Sequence, residues 1–438
     1  MPPRSQTILL LGGSGLIGRY VAEDLRLRGF AVTAIARHYA SSQMTSMDDV
    51  EAPIMAMTQD QLARLMVERR IDMVVNCLGV LQDGPGMDTS AVHRDFTARL
   101  LTAIKATAQP IQLVHISIPG TADHDRTAFS ETKRDAERLI ADAGIGSTIL
   151  RPGFVIAPAA YGGSALVRAL AALPVADLPS DLVSRPFQPV AVDDIAATIA
   201  WLCEHGSDTH RVWDLMQLEP VTLGNVVDRY RTFFGTDRST RIRLPGFLLD
   251  LGAKLGDAVA RLGWTPPVRT TAIAELRRGV TGDPAPWITA TGITPLTLAQ
   301  MVNRRSATVQ DKWFARLFLL KPVIFVSLVL FWIVSGFIAL FISYDAAAGL
   351  LSAHQFPPAS VAPITVGTSL MDMATGALIA FRKTSAIGLI WGILASLGYM
   401  FGAAVLAPDL WIEPLGALVK TGPAIILMLV ALAMLDNR

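Results

Sequence analysis

Charged residues are distributed very unevenly along this chain of 438 residues, and this distribution limits the folds that it can adopt. Residues 312–438 hold twelve charged side chains, whereas residues 1–311 hold the other 63. Because soluble domains carry about 25% charged residues, the C-terminal part is too apolar for a soluble domain. The sequence therefore predicts a soluble-type region joined to a membrane domain, and it excludes a purely soluble enzyme.

Four apolar segments predict four transmembrane helices. Residues 323–342 and 387–406 are twenty residues each without a charge, which is about the length that crosses the hydrocarbon core. Segments 361–381 and 415–435 carry one charge each. Basic residues precede the first span, lie between the second and third, and end the chain: Lys312, Arg316, Lys321, Arg382, Lys383 and Arg438. We expect a multi-pass protein of the cytoplasmic (inner) membrane with both termini cytoplasmic.

Two features within these spans have alternative interpretations. Gly388, Gly392, Gly398 and Gly402 form two G-x-x-x-G pairs in the third span, a spacing that allows close helix contact in lipid. The contact is either within the four-helix bundle or in a homo-oligomer.

Asp372 lies near the middle of the second span, where a carboxylate needs a partner. It is either a structural hydrogen-bonding group or a redox or proton site.

Charge, cysteines and the N-terminus exclude several functional classes. A formal net charge of +1 gives no excess of positive charge for nucleic acid. Cys77 and Cys203 have no spacing typical of a disulfide framework or a zinc site, so we expect no metal. The first apolar run, residues 8–11, is far shorter than a signal sequence. We therefore expect the N-terminal domain to stay in the cytosol.

A glycine-rich loop follows this first apolar run and indicates a dinucleotide site. Residues 7–11 are predicted to form a buried strand, which leads through GGSGLIG into a predicted helix at 19–28. Glycines at this spacing allow a tight turn and a close approach to pyrophosphate, and the helix N-terminus supplies donors. The alternative is a structural glycine turn. The candidate cofactor-binding residues here are Gly12, Ser14, Gly15, Leu16, Ile17 and Gly18.

The end of the second predicted strand, residues 31–36, bears on the choice of cofactor. Folds that select NAD place an acidic residue about 20 residues beyond the glycines. This chain has Arg37 there, and a guanidinium binds a 2′-phosphate but cannot accept hydrogen bonds from ribose hydroxyls. The sequence therefore favours NADP(H) over NAD(H). The alternative is that Arg37 is an exposed charge at the end of a strand.

Strand and helix patterns continue to alternate through the N-terminal region. Further strands are predicted at 72–79, 111–118 and 147–150, with an amphipathic helix at 127–143. This alternation predicts an α/β fold with a doubly wound parallel Rossmann-type sheet, followed by an all-α four-helix membrane domain. We expect three parts: a reductase-like domain at 1–236, a connecting segment at 237–311 and the membrane domain at 312–438.

These motifs together resemble a known family. GGSGLIG, VNCLG, Ser117 near a strand end, FSETK at 129–133 and ILRPG at 149–153 are similar to motifs of the extended and atypical short-chain dehydrogenase/reductases. The resemblance is closest to the branch that includes an accessory subunit of respiratory complex I. The tail, with PDLW at 408–411, resembles the DoxX-like membrane domain. The resemblance implies a nicotinamide dinucleotide cofactor and says less about the reaction.

The catalytic segment departs from that family. Its active members use Tyr-x-x-x-Lys: the tyrosine exchanges a proton, the lysine lowers its pKa and holds the nicotinamide ribose, and an upstream serine binds the substrate oxygen. Here Phe129 occupies the tyrosine position, while Lys133 and Ser117 are retained. The resemblance implies catalytic roles for Ser117 and Lys133. The alternatives are a strand-end hydroxyl and a solvated helix charge. The possible replacements for the tyrosine are Ser130, His124, Asp125 and a water molecule.

Other short segments also match the family's cofactor site. Leu78 and Gly79 end a strand at the cofactor edge, and Pro152 and Phe154 match the segment that wraps the nicotinamide. Residues 187–190, followed by Asp193 and Asp194, match the segment beneath the substrate pocket. Plain turn chemistry, with an aspartate as N-cap, is the alternative for these last two segments.

The connecting segment points to a membrane surface. Residues 237–316 hold twelve Lys/Arg and six Asp/Glu, and residues 244–262 have apolar side chains at helical spacing. A basic amphipathic helix beside membrane spans is expected to lie on the anionic leaflet. The alternative is a helix that packs on the reductase-like domain and walls its pocket.

Three functions remain open from the sequence. The first is a membrane-anchored NADP(H)-dependent oxidoreductase acting on a quinone or another lipid-soluble carbonyl substrate. The second is a redox-silent NADPH-binding factor that assembles or stabilises a membrane complex. The third, epimerase or dehydratase chemistry on a nucleotide sugar, is weakened by the missing tyrosine.

Overall fold

A computed structural model describes residues 6–39, 46–84, 88–121, 123, 127–173, 176–206, 209–236, 242–412 and 416–435. His124, Asp125 and Arg438 lie outside these residues. The chain divides into two compact units. The first comprises residues 1–257 and 267–315, and the second comprises 258–266 and 316–438. Most of the segment that sequence analysis separates as 237–311 thus belongs to the first unit.

The first unit is built around a parallel sheet of seven strands. Its spatial order is β11-β6-β5-β4-β1-β2-β3, with neighbouring strands parallel throughout. The strands of this sheet are β1 (Thr7–Leu11), β2 (Ala31–Ala36), β3 (Asp49–Glu51), β4 (Met73–Asn76), β5 (Gln112–Ile116), β6 (Ser147–Pro152) and β11 (His210–Leu215). This order reverses between β1 and β4, and in such sheets a ligand binds outside the carboxyl ends of the strands at that point. The doubly wound parallel fold is confirmed.

Short strand pairs lie outside the main sheet. They are β7 (Phe154–Ile156) with β10 (Pro189–Ala191), β9 (Pro186–Phe187) with β12 (Val221–Thr222), and β8 (Ala176–Asp177) with β13 (Ile242–Arg243). The first pair, β7 with β10, follows β6. Its apolar residues belong to a hydrophobic cluster with helices of the C-terminal half of this unit.

Helices cover both faces of the sheet. In the first unit they are α1 (Leu16–Leu27), α2 (Gln59–Glu68), α3 (Phe96–Ala106), α4 (Ala128–Ala141), α5 (Gly162–Ala172), α6 (Ser180–Val183), α7 (Val192–His205), α8 (Leu223–Phe234), α9 (Gly246–Ala260, whose last residues fall in the second unit), α10 (Thr270–Arg278), α11 (Ala285–Thr291), α12 (Leu298–Asn303) and α13 (Val309–Phe318, which ends in the second unit). A single π-helical turn, Ala91–Asp95, precedes α3.

Apolar patterning explains the packing of this unit. Four consecutive residues of β1, Ile8 to Leu11, are fully buried because helices cover both faces of the sheet. α1 and α7 pack on one face, and α2 and α3 pack on the other. The C-terminal edge of the sheet is thereby held rigidly by two apolar layers, and the candidate site residues lie along that edge.

The second unit is helical. Its helices are α14 (Leu320–Phe337, continued by a π-helical segment to Ile342), α15 (Tyr344–Ala353), α16 (Pro358–Ala380), α17 (Ser385–Leu406) and α18 (Ala417–Ala433). Small residues bring α14 and α16 together: a Cβ on Gly336 would lie 2.3 Å from the Ser369 carbonyl oxygen, and one on Gly376 would lie 2.5 Å from Ile333. Trp332, Leu389 and Met428 fill the interior.

Four helices occupy the four predicted spans, but they differ in composition and length. Among the described residues, only Leu320–Ile342 and Ser385–Leu406 are both long and apolar enough to cross a membrane. α16 carries Asp372 and several hydroxyl groups, and α18 has only 17 residues. The number of spans therefore stays a prediction. Residues 346–358, between the first two apolar segments, are expected from the sequence to form an interfacial turn because of Pro357 and Pro358, but α15 occupies residues 344–353.

The two glycine pairs of α17 have different surroundings. A Cβ on Gly388 or Gly392 would contact Ile379 or Trp332 at about 3 Å or less, so this pair packs within the unit. Gly398 and Gly402 have no atom within 4 Å of such a Cβ. The hydroxyl of Tyr399 donates a hydrogen bond to Asp372 at 2.8 Å, which supplies the partner that the buried carboxylate needs.

Candidate functional site

The glycine loop has the geometry that a dinucleotide requires. Gly12 has φ of +91°, and a Cβ there would lie 3.2 Å from the Cys77 carbonyl group. A Cβ on Gly18 would lie 2.2 Å from the Gly12 carbonyl oxygen, so only glycine allows this approach of helix and loop. α1 begins at Leu16, three residues earlier than the sequence predicts, and no side chain caps it. Its first N–H groups are thus available to an anion.

The loop after β4 lies beside the glycine loop and contacts Lys133. A Cβ on Gly79 would lie 3.5 Å from the Lys133 Nζ atom. Lys133 is 4% exposed, and its Nζ donates to the carbonyl oxygens of Ile116 at 2.8 Å and Leu78 at 3.3 Å. Burial lowers the pKa of Lys133 to about 8, against the opposing effects of Cys77 and Glu137. The alternative that Lys133 is a solvated helix charge is wrong.

His93 lies beside Phe129, and sequence analysis missed it. The two rings meet edge to face with centroids 5.6 Å apart. The His93 Nε2 atom accepts from the backbone N–H of Val80 at 3.1 Å, so the proton of the neutral ring is on Nδ1, 2.9 Å from the Thr132 hydroxyl oxygen. Burial and the charge of Lys133 lower the pKa of His93 far below its usual value. His93 is therefore a neutral, fully engaged ring and not a proton donor.

Ser117 lies beside a buried ionic cluster. It follows β5, is 5% exposed and lies next to Glu137, but its hydroxyl oxygen has no hydrogen-bond partner among the described residues. Arg151 donates to both oxygens of Glu137, at 2.9 and 2.6 Å, and Arg134 lies 3.1 Å from each. Burial alone would raise the pKa of Glu137, but these hydrogen bonds and positive charges lower it. The surroundings of Ser117 are those of a structural cluster, and its substrate-binding role stays a prediction.

The adenosine end of the site combines three polar side chains. Arg37 is exposed and lines a cleft of about 420 Å³ together with Glu51, Pro53 and Met55. The Glu51 carboxylate accepts from the Tyr39 backbone N–H at 2.6 Å and lies 3.0 Å from His38. The sequence gives no reason to place Glu51 here, because β3 is only three residues long and is positioned by pairing with β2.

Tyr39 is a further residue that sequence analysis did not select. Its side chain is 4% exposed, and a Cβ on Gly13 would lie 2.2 Å from its hydroxyl oxygen. That oxygen is buried without a hydrogen-bond partner among the described residues. Burial raises the pKa of Tyr39, so the group stays a neutral phenol beside the glycine loop.

Two segments that match the family's motifs, residues 152–154 and 187–190, pack against each other. The Phe154 backbone N–H donates to the Gln188 carbonyl oxygen, and a Cβ on Gly153 would lie 2.0 Å from the same oxygen. Pro152 is buried at the end of β6, and Phe154 contacts Phe187 with ring centroids 5.5 Å apart. Their contact with a nicotinamide ring stays a prediction.

The aspartates after these segments do not cap a helix. α7 begins at Val192 with Ala191 as its N-cap, so Asp193 and Asp194 lie in its first turn. Asp193 pairs with Arg304 at 2.5 Å, and Asp194 accepts from the Leu296 backbone N–H. Acidic groups in the first turn of a helix interact favourably with the helix dipole. The N-cap interpretation is wrong.

α10 covers the loops that carry the candidate catalytic residues. Glu275 accepts a hydrogen bond from the Thr127 hydroxyl at the start of α4, and Arg278 donates to the Pro119 carbonyl oxygen after β5. Just before α10, Arg269 donates to the carbonyl oxygen of Asp83 after β4. α10, and not the amphipathic segment 244–262 singled out in the sequence, therefore walls this edge of the sheet.

Comparisons with known proteins agree with this geometry. The NAD-dependent epimerase/dehydratase family matches residues 8–213, and the DoxX-like family matches residues 329–429. No curated protein matches the chain.

Similar solved structures cover the N-terminal part of the chain. MoeE5 in complex with UDP-glucose and NAD is 18% identical, with a TM-score of 0.52 over 72% of this chain and 99% of that one. UDP-glucuronic acid 4-epimerase from Bacillus cereus, in complex with UDP-glucuronic acid and NAD, is 14% identical, with a TM-score of 0.52 over 72% and 100%. WbmG of Bordetella bronchiseptica, in complex with NAD, is 15% identical, with a TM-score of 0.53 over 69% and 94%. At these identities the likeness shows the fold.

The residues present fit a nicotinamide dinucleotide. Gly12 and Gly18 admit a close loop, the start of α1 offers free N–H groups, and the buried Tyr39 hydroxyl lies beside the loop without a partner among the described residues. The resemblance to the short-chain dehydrogenase/reductases and to the DoxX-like domain is confirmed by the two family matches. Residues 8–213 are thus similar to the NAD-dependent epimerase/dehydratase family, and residues 329–429 are similar to the DoxX-like family.

Proposed function

We propose that this protein is a membrane-anchored oxidoreductase that prefers NADP(H) and reduces a quinone-like, lipid-soluble carbonyl substrate at the cytoplasmic face of the membrane. The observation that carries the proposal is the environment of Phe129. The aromatic ring takes the place of the catalytic tyrosine, and the neighbouring His93 has both ring nitrogens engaged.

Phe129 has no proton to exchange, and both ring nitrogens of the adjacent His93 are engaged, which suggests the class of substrate. Bound NADPH would supply a hydride, and an ordinary ketone that accepts it becomes a strongly basic alkoxide that needs a general acid. A quinone becomes a phenolate-type anion instead, and phenols have a pKa of about 10. Such an anion takes its proton from water. A site in which Phe129 replaces tyrosine is therefore suited to quinone-type carbonyls and unsuited to sugar alcohols.

The preference for NADP(H) rests on Arg37. Its exposed guanidinium lines the cleft at the end of β2, where a 2′-phosphate would find a bidentate partner. Glu51 lies in the same cleft and opposes the phosphate electrostatically, but its carboxylate is already engaged by His38 and the Tyr39 backbone. The similar solved structures hold NAD, so the preference must be measured on this chain.

The membrane part of the proposal is a four-span topology with both termini cytoplasmic. Two helices with the necessary length and apolarity and the DoxX-like match support membrane insertion. Arg382 and Lys383, between α16 and α17, support a cytoplasmic loop there. Reporter fusions after Leu350 and after Asp409 should report the periplasm, and fusions after Lys383 should report the cytoplasm. A cytoplasmic signal at Leu350 would overturn the topology.

A redox-silent role is the second candidate, and one observation favours it. Lys133, which the family uses in catalysis, is tied into the structure by hydrogen bonds to two backbone carbonyls. A chain that uses NADPH only as a structural element, within a membrane complex or a homo-oligomer, would keep such contacts. In that case nucleotide binding would stabilise the protein without turnover.

Anaerobic oxidation of NADPH separates the two functions. Purified full-length protein in lipid nanodiscs is mixed with NADPH and a short-chain benzoquinone or naphthoquinone, and the nicotinamide absorbance is followed. We expect turnover with a quinone and none with a simple ketone. Tight NADPH binding without oxidation by either quinone would favour the redox-silent role and refute the reductase.

A further inference from the structure

α9 turns its large apolar side chains away from the protein. Phe247, Leu248, Leu251 and Leu255 are 67, 44, 52 and 59% exposed, and their spacing places them along one side of the helix. A soluble helix buries residues of this kind. Transfer of apolar side chains from water to an apolar medium is favourable, so leaving four of them in water would be costly.

The opposite side of α9 is made of small residues and faces the protein. Ala253 and Ala260 are 1% and 4% exposed, and Gly256 is buried. A Cβ on Gly256 would lie 2.0 Å from the Val268 carbonyl oxygen, which shows how closely the helix approaches the following chain. The outward direction of the four large side chains is therefore set by this close contact.

The two aspartates of α9 are paired with arginines, and its lysine is exposed. Asp250 and Asp257 are neutralised by Arg277 and Arg269, at 2.7 and 2.8 Å. Lys254 is exposed beside the apolar stripe, one helical turn from Asp250. A lysine at the edge of an apolar stripe keeps its ammonium group near lipid phosphates while its stem covers apolar surface.

The chain around α9 leads directly into the DoxX-like unit. Residues 258–266 belong to that unit, where the Arg382 backbone N–H donates to the Leu262 carbonyl oxygen and Trp264 donates to the Ala380 carbonyl oxygen at 2.7 Å. The Trp264 ring also packs against Phe325 in a tilted arrangement, with ring centroids 4.6 Å apart. Tryptophan and arginine at the ends of spans are typical of the membrane–water interface.

A second helix next to a candidate span shows the same pattern. In α13, which precedes the span Leu320–Ile342, Val309 and Trp313 are 60% and 64% exposed. Leu317 is 43% exposed, one turn further along the same face. Ala315 is buried. Large apolar side chains thus point outward and a small residue points inward in both helices.

We infer that α9 is an interfacial helix whose stripe, Phe247, Leu248, Leu251 and Leu255, lies in the anionic lipid leaflet. Its occupant is the acyl-chain boundary of the bilayer, with Lys254 near the headgroups. The inference needs membrane association of the chain but no redox activity. The reductase could therefore fail its test while α9 still lies in lipid, and the reverse also holds.

Collision accessibility of a nitroxide tests this placement in the full-length protein. Leu251→Cys and Leu255→Cys are spin-labelled and reconstituted in nanodiscs of phosphatidylcholine and phosphatidylglycerol, without NADPH. Glu68→Cys, on an exposed position of α2, is the matched control, and unmodified protein measures labelling of the half-buried Cys77 and the buried Cys203. We expect residues 251 and 255 to collide with oxygen and to be shielded from a water-soluble nickel chelate, with the opposite result at residue 68.

Two results would overturn the inference. Equal access of the nickel chelate to residues 251 and 68 would place the stripe in water. Shielding of residues 251 and 255 from both reagents would show that protein, such as a second copy of the chain, covers it. In addition, Lys254→Gln should reduce the shielding of residue 251 in anionic nanodiscs and leave it unchanged in nanodiscs of phosphatidylcholine alone.

Discussion

Alanine substitutions in the glycine loop separate its role in folding from its role in binding. A Cβ on Gly18 would lie 2.2 Å from the Gly12 carbonyl oxygen, whereas one on Gly15 would lie 3.2 Å from the same atom. An ordinary carbon–oxygen contact is longer than the first distance by about 1 Å, and a backbone atom cannot give way cheaply. Overpacking of this kind costs about 1–3 kcal/mol, so Gly18→Ala should lower the unfolding temperature and weaken NADPH binding together.

Gly15→Ala is expected to behave differently. Gly15 has φ of −74°, which alanine adopts without strain, and the carbonyl of Gly12 need give way by only a few tenths of an ångström. The protein should fold normally, but the new methyl group would stand where the pyrophosphate approaches the start of α1. We expect NADPH affinity to fall by about tenfold or more, which is about 1.4 kcal/mol.

The assay is NADPH fluorescence titration of full-length protein in nanodiscs, combined with thermal unfolding of the same samples. Gly252→Ala in α9 is the matched control, because a Cβ there meets nothing within 4 Å and alanine stabilises a helix by about 0.5–1 kcal/mol relative to glycine. Wild-type NADPH affinity in Gly15→Ala would refute the placement of the pyrophosphate at this loop. Wild-type stability in Gly18→Ala would refute the packing argument.

Three further substitutions test the rest of the site. Arg37→Asp should lower NADPH affinity by about 10- to 100-fold, the loss of a charged hydrogen-bond partner of about 1.5–3 kcal/mol, and equal NADPH and NADH binding by wild type in calorimetry would contradict it. Phe129→Tyr should raise turnover on a small ketone by about 10²–10⁴-fold while turnover on quinones stays the same, and an equal gain on both would show that quinone reduction also needs an acid. Glu137→Gln should destabilise the first unit by about 3–5 kcal/mol, since Arg134 and Arg151 lose their buried partner. Because folding lowers the pKa of Glu137, the contribution of this carboxylate to the stability of the folded protein is complete above its unfolded pKa of about 4.3. That contribution is lost as the pH falls through the lowered, folded-state pKa. A thermal unfolding curve of Glu137→Gln that matches wild type at pH 7 would contradict this prediction.

The main strands could be predicted from the sequence because a parallel sheet leaves a local signal. β1 and β2 have the predicted bounds, and β4, β5 and β6 lie within a few residues of the predicted segments. Such strands are covered on both faces, so they are short continuous apolar runs between turn residues. β3 was missed because it has only three residues, and its place depends on pairing with β2 rather than on its own composition.

The candidate site was predictable only where a motif is continuous in sequence. The glycine loop and the segment 129–133 are motifs of this kind, and they meet at the edge of β4. His93 reaches Phe129 from a π-helical turn, and Glu51 reaches the cleft of Arg37 from the edge strand. A histidine in an ordinary amphipathic pattern gives no sign that it will lie beside Phe129. Only the tertiary structure shows that its two nitrogens are engaged.

Helical periodicity also could not distinguish between the two environments open to α9. A stripe of Phe247, Leu251 and Leu255 has the same spacing whether it packs on protein or lies in lipid. The structure distinguishes them because α9 and α10 divide the two expected roles: α10 walls the site through Glu275 and Arg278, and α9 exposes its stripe. Two acidic residues of α9 are paired with arginines at or near α10, the segment that covers the loops after β4 and β5. Lipid contact at α9 is thereby linked through Arg269 and Arg277 to the wall of the candidate site.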